Sequence, residues 1–136
     1  MSFSIHTPLI ESLPLSNICG TRVFAKMDAL QPSGSFKMRG IGFAAQHYAA
    51  KGATRFISSS GGNAGLAVAY AGRALAITVL VVVPETTPQR AIELLEQENA
   101  DVIVHGSSWI EANALAQSKR TEMDAFFHPF DDPLLW

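Results

Sequence analysis

"RFISSSGGNAGLAVAYAGRALAITVLVVVP", Arg55 to Pro84, decides the architecture. Its last part, Ile77 to Val83, is a continuous run rich in β-branched residues with no polar alternation. That is the pattern of a central parallel strand covered on both faces, whereas a half-solvated antiparallel strand alternates. Before it stands "LAVAYAGRALA", small and apolar around its whole circumference, which predicts a buried helix. Earlier still, the short strand candidate "RFISSS" runs straight into the glycine-rich turn "GGNAG".

Outward from this unit the alternation continues. Upstream, Thr21 to Asp28 alternates Val23, Ala25 and Met27 against Arg22, Phe24 and Lys26 and reads as a strand. The loop "LQPSGS" follows, and from Phe36 to about Ala50 the residues Met38, Ile41, Ala45, Tyr48 and Ala49 mark one helical face, with Gly52 as its stop. Downstream, Thr87 is read as an N-cap and Pro88 as the first residue of a helix to about Asn99, with Ile92 and Leu95 facing inward. "ADVIVHG" reads as a strand, Ser108 and Glu111 stand at capping-box spacing before a helix with Trp109, Ala112 and Ala116 in line, and "AFFHPF" is a last short strand. Helices alternating with strands from residue 36 onward predict an α/β fold, a doubly wound open parallel sheet.

Composition excludes several classes of function. With 136 residues, 48% of them hydrophobic and 16% charged, the chain can bury the core of one soluble domain. A formal charge of -2 and no basic stripe argue against nucleic acid as a partner. The single cysteine, Cys19, is read as a small structural side chain. His6, His47, His105 and His128 are dispersed, so no metal site is expected. The N-terminus lacks a basic segment followed by an apolar run, and no apolar stretch reaches the roughly 20 residues that span a bilayer. The expectation is a cytoplasmic protein without a membrane partner.

In a doubly wound sheet, ligands bind beyond the carboxyl ends of the strands. Two loops compete for that place. In "SSSGGNAG" the glycines let the backbone approach a ligand, and the helix N-terminus that follows offers unpaired N–H groups to a carboxylate or phosphate. The plain alternative is a turn that only connects two elements. Asn63 favours a ligand, because its carboxamide can both donate and accept. The second loop is "QPSGSFKMRG", Gln31 to Gly40. A lysine at the start of a helix is ordinarily a solvated surface residue, yet Lys37 faces the positive end of the helix dipole, where acidic residues are preferred. The dipole favours a neutral, nucleophilic amine, so an active-site lysine gains what a surface lysine loses. "GIGFAA", Gly40 to Ala45, matches the spacing of a dinucleotide fingerprint but follows no strand and lies inside a helix already begun.

"QPSGSFKMRG" followed by "SSSGGNAG" resembles the lysine and asparagine loops of the fold-type II pyridoxal-phosphate enzymes, and with "PFDDPLLW" is most similar to their serine/threonine dehydratase family, in particular its L-serine dehydratase group. The resemblance runs from "HTPL" to the last residue. It implies that Lys37 is the Schiff-base lysine, that Phe36 lies against the ring of pyridoxal 5'-phosphate, and that Asn63 hydrogen-bonds the ring hydroxyl. Ser60, Gly61 and Ala64, with Asn63, would cradle the substrate carboxylate. The activity implied is α,β-elimination from L-serine, or L-threonine, giving pyruvate or 2-oxobutanoate and ammonia, with Lys37 taking the Cα proton. A β-replacement or threonine-synthase-like enzyme, and a catalytically silent module that binds small anions, are the alternatives.

The resemblance further implies a small α/β domain at 33–130, flanked by a strand segment of the large domain at 1–32 and a truncated return to it at 131–136. The family's phosphate-binding loop and its partner for the pyridine nitrogen lie beyond residue 136, so the chain is expected to be an N-terminal fragment, inactive alone, of an enzyme that is a homodimer at full length. Leu134, Leu135 and Trp136 are then expected to have nothing to pack on.

Overall fold

The computed structural model describes residues 2–135. The elements run β1 (Leu9–Glu11), α1 (Leu13–Cys19), β2 (Phe24–Lys26), a 3-10 turn (Asp28–Leu30), α2 (Lys37–Ala50), β3 (Arg55–Ser58), α3 (Asn63–Leu75), β4 (Thr78–Val83), α4 (Gln89–Gln97), β5 (Ala100–Val104), α5 (Trp109–Ser118) and β6 (Asp124–Phe127). Strands β5, β4, β3 and β6 form, in that order, one all-parallel sheet, and β1 pairs with β2 as a separate antiparallel ribbon. From β3 the chain steps through β4 to β5 and then returns to place β6 on the other side of β3. The winding direction therefore reverses between β3 and β6.

The unalternating run in β4 is what lets both faces be covered. Val79, Val81 and Val83 point into a core shared with Phe56 of β3 and with Met38, Ala67 and Leu95 of α2, α3 and α4. Leu80 and Val82 point the other way, onto Ile57 and the Ala112 and Ala116 face of α5. Each such side chain contributes about 1.5–3 kcal/mol by leaving water. Helix α3 is small along its length because it presses on the sheet: a Cβ on Gly72 would overlap the Val79 side chain, and one on Gly65 would overlap the Ser60 carbonyl.

Several sequence expectations need correction. The strand expected over Thr21–Asp28 shrinks to Phe24–Lys26, and its partner β1 had no sequence signal of its own. Cys19, expected to be a small structural side chain, is exposed at the end of α1, a helix that buries none of its residues. Pro88 is the N-cap of α4 and not its first helical residue. Its ψ of 139° is extended, and the Thr87 N–H bonds back to Pro84 O in a turn that delays the helix by one residue. The capping box of α5 is half formed. Ser108 Oγ accepts from Glu111 N, but Glu111 returns its carboxylate to Ser107. Leu134 and Leu135 do find a surface: both are partly buried against the main core, over α2, while Trp136 lies outside the described residues.

Candidate active site

Helix α2 runs antiparallel to the strands, so its first residue, Lys37, arrives at their carboxyl ends. Its Nζ donates to the carbonyl oxygen of Pro129 at 3.0 Å, two residues past the end of β6. The loop that leaves β3, Ser59 to Gly62, starts from the neighbouring strand. Lysine and asparagine loops thus meet at the point where the winding reverses, the place where open α/β sheets bind ligands.

No acidic side chain stands in the first turn of α2, and Phe36, its N-cap residue, makes no side-chain cap. The amine lies 5.6 Å from the centroid of the Phe36 ring, which is half exposed. A hollow of about 220 Å³ is lined by Phe36, Lys37, Arg39, Gly40, Ile41 and Leu135. Gly40 is required there, because Leu135 passes so close that a Cβ would overlap its carbonyl. A second hollow, of about 340 Å³, joins Ser33 and Gly34 of the lysine loop to Asn63 and Leu66 of α3. A third, of about 180 Å³ beside Tyr48, Lys51 and Arg120, lies at the amino ends of the strands and away from this chemistry.

The asparagine loop is held by its serines. Ser59 Oγ donates to Asn113 Oδ1 on α5 at 2.8 Å, Ser58 Oγ accepts from Ser60 N at 3.4 Å, and Ser60 Oγ accepts from Gly62 N at 3.3 Å. The Asn63 side chain is exposed and makes no hydrogen bond to the described residues. Ala64 is buried by its methyl group, so what it can offer a ligand is its backbone N–H in the first turn of α3, where N–H groups lack intrahelical acceptors. The site residues read from sequence, Phe36, Lys37, Ser60, Gly61, Asn63 and Ala64, therefore all stand at one end of the sheet.

Sequence reasoning missed the groups that brace this end. Arg39 grips Asp28 with two hydrogen bonds, Nε to Oδ2 at 2.8 Å and a terminal nitrogen to Oδ1 at 2.7 Å. Thr7 Oγ1 donates to the same carboxylate at 2.6 Å, and Gln31 both accepts from Ile5 N and donates to Ile5 O. Arg39 above all, and then Thr7, hold the Asp28 carboxyl well below the usual carboxylate range. On the other side Asp132, almost fully buried, accepts from Tyr48 Oη at 3.1 Å and from Leu134 N at 2.9 Å. Burial first, and Asp132 second, push the Tyr48 hydroxyl up. Only the spacing "FKMR" hinted at Arg39, and nothing local in the sequence points to Asp28 or Asp132.

The Pyridoxal-phosphate dependent enzyme family matches residues 3–136. The chain belongs to that family. It is 48% identical to an L-serine dehydratase/L-threonine deaminase of Mus musculus over 99% of its own length and 42% of the relative's. To the L-serine dehydratase of Dictyostelium discoideum it is 46% identical, over 97% and 41% of the two chains. The crystal structure of a fungal L-serine ammonia-lyase from Rhizomucor miehei superposes with a TM-score of 0.93 at 32% identity, covering all of this chain and 44% of that one. The chain spans about two fifths of the curated relatives it matches.

The residues present suit the family's cofactor in their chemistry. A part-buried lysine, a half-exposed phenyl ring beside its amine and a carboxamide at the start of α3 with no hydrogen bond to the described residues suit a flat, hydroxylated pyridine aldehyde. Ser33 Oγ and Ser35 Oγ in the lysine loop are buried without a partner among the described residues, so the loop also holds unspent hydrogen-bonding capacity. Among the described residues no His, Cys, Asp and Glu side chains gather into a metal site, and no helix is long and apolar enough to cross a membrane.

Proposed function

We propose that this chain carries the reactive lysine and the substrate loop of a pyridoxal-phosphate-dependent L-serine dehydratase that also accepts L-threonine. The reaction is α,β-elimination to pyruvate, or 2-oxobutanoate, and ammonia. The observation that carries the reading is the Lys37 amine, placed at the carboxyl ends of β3 and β6 beside an exposed phenyl ring. The names and identities of the relatives point to the same chemistry. When bound, pyridoxal phosphate would act as the electron sink that makes the Cα proton of an amino acid removable. Lys37 would hold the cofactor covalently, and its amine would take that proton. Phe36 would pack on one ring face, and Asn63 would bond the ring hydroxyl. Ser60, Gly61, Asn63 and Ala64 receive the substrate carboxylate through N–H and hydroxyl groups at the start of α3, where the helix dipole favours an anion. Residues 33–130 serve as the small domain, 1–32 and 131–136 as segments of a larger one, and the working protein is a cytoplasmic homodimer.

Borohydride reduction of the intact protein with pyridoxal phosphate, followed by mass spectrometry of the peptide containing "SGSFKMR", is expected to give a pyridoxyl adduct on Lys37. Incubation with L-serine is expected to yield pyruvate whether or not a sulfur nucleophile is added. No adduct would remove the cofactor from the reading, and a thioether product in place of pyruvate would make the enzyme a β-replacement catalyst.

A further inference from the structure

We propose that His128 is a positioning residue for Lys37, acting through the carbonyl of Pro129; this rests on the role given to Lys37 above. His128 Nδ1 accepts two backbone N–H groups, from Phe130 at 3.2 Å and from Asp131 at 2.9 Å. Nδ1 is therefore the acceptor atom of the ring in this turn. Those two bonds close the turn that leaves β6, and Pro129, the residue inside it, aims its carbonyl at Lys37 Nζ. Proline has no N–H to donate, so within the turn the donors come from Phe130 and Asp131 and both end on His128 Nδ1.

The imidazole is itself held in place. Trp109, the first residue of α5, meets it edge to face at 5.9 Å between centroids, Phe130 at 6.1 Å, and the indole meets Phe130 at 5.6 Å. Asp132 fixes the far side of the same turn through Tyr48 and Leu134 N. The carbonyl is consequently braced from α5 on one side and from α2 on the other.

A carbonyl suits a lysine that must be both nucleophile and proton carrier. It accepts an N–H from the ammonium and from the neutral amine alike, whereas a carboxylate in the same place would bind the ammonium selectively. Pro129 O thus holds the Lys37 nitrogen at the carboxyl ends of the strands in either protonation state. In the sequence His128 is one of four dispersed histidines with no local sign of a role. Its fold position, one residue past β6 at the switch point, is what connects it to the site.

The test uses three variants that differ in one acceptor atom. In His128→Asn the side-chain Oδ1 stands the same number of bonds from Cα as Nδ1 and can accept the same N–H groups as an Asx turn. His128→Gln moves the acceptor one bond further out, and His128→Ala removes it. In the intact, cofactor-free protein, acylation of Lys37 by an amine-directed ester, read on its peptide by mass spectrometry, is expected to accelerate about threefold or more in the Ala and Gln variants as the amine is released. In the loaded protein, kcat for L-serine is expected to fall between about tenfold and a hundredfold in those two variants, with KM within about twofold. The Asn variant is expected to stay near wild type in both measurements. Asn behaving like Gln, or unchanged acylation in both Ala and Gln, would overturn the proposal. Should His128→Ala fail to fold, the Asn against Gln contrast decides alone. Should wild-type Lys37 give no pyridoxyl adduct, the catalytic reading falls, and the acylation comparison still decides what His128 does.

Discussion

At Gly61 the loop that leaves β3 has no room for a methyl group unless a neighbour moves. A Cβ there would stand 2.7 Å from Thr87 Cγ2 and 3.2 Å from Val83 Cγ1, so Thr87 would have to turn. The clash is with side chains at the end of β4 and the turn before α4, which can yield, and not with backbone. Gly61→Ala is therefore expected to lower kcat/KM for L-serine by roughly threefold to thirtyfold while the melting temperature moves by no more than about 3 °C. Adding Thr87→Ser, which deletes the clashing Cγ2 and keeps the hydroxyl, is expected to restore most of the loss. Unchanged kinetics in Gly61→Ala would separate the loop from the substrate. Gly61 and Lys37 stand out in the sequence because each conflicts with its local setting, a pair of glycines before a helix and a cation at a dipole's positive end. The partners that give these conflicts meaning, Thr87 for the one and Pro129 for the other, are set by the fold across long stretches of chain, and no local pattern encodes them.

Among the elements, β3, β4 and the helix between them could be read directly, since a buried parallel strand and an all-small helix each leave a signature that burial itself imposes. Helix α1 and strand β1 could not, because "LPLSNIC" is too short to display a buried face and buries none, and three residues make no alternation. Strand β6 is readable in type, but not its pairing with β3, which carries a cross-strand ion pair. Arg55 stands opposite Asp124 in the register, and its guanidinium donates to both carboxylate oxygens, at 3.0 and 2.6 Å. Arg55 first, and then the Thr121 N–H and hydroxyl, lower the Asp124 carboxyl from 3.8 to about 2. Because the folded value lies below the unfolded one, the ionised carboxylate stabilises the fold. The full contribution, about 2 kcal/mol, is present above pH 3.8 and is lost as pH falls through about 2. Asp124→Asn is expected to lower the melting temperature at pH 7 by about 5 °C, and the gap to wild type is expected to close between pH 4 and pH 2. A gap that persists at pH 2 would assign the effect to packing and not to charge.

Across the whole molecule, the β1–β2 ribbon and the parallel sheet share no strand, and a group that ties them, Arg39, sits two residues from Lys37. Arg39 leaves the first turn of α2 and binds Asp28, to which Thr7 and Gln31 also donate. Gln31 in turn pairs with the backbone of Ile5, so residues 5 to 31 are fastened to the start of α2 by one carboxylate. Ribbon residues Leu9, Ile10 and Phe24 are exposed, so little apolar burial stands behind that fastening. Its loss should then be felt locally. Arg39→Met keeps the aliphatic stem and removes the guanidinium, leaving Asp28 with neutral donors only. Amide hydrogen exchange in residues 5–11 and 24–31 is expected to accelerate by about tenfold or more, while the amides of β3, β4 and β5 change by less than about twofold. Equal acceleration in ribbon and sheet would mean that the two open as one cooperative unit. No acceleration in the ribbon would mean that the Asp28 network does not hold it, and that the lysine loop is positioned by α2 and the turn after β6 alone.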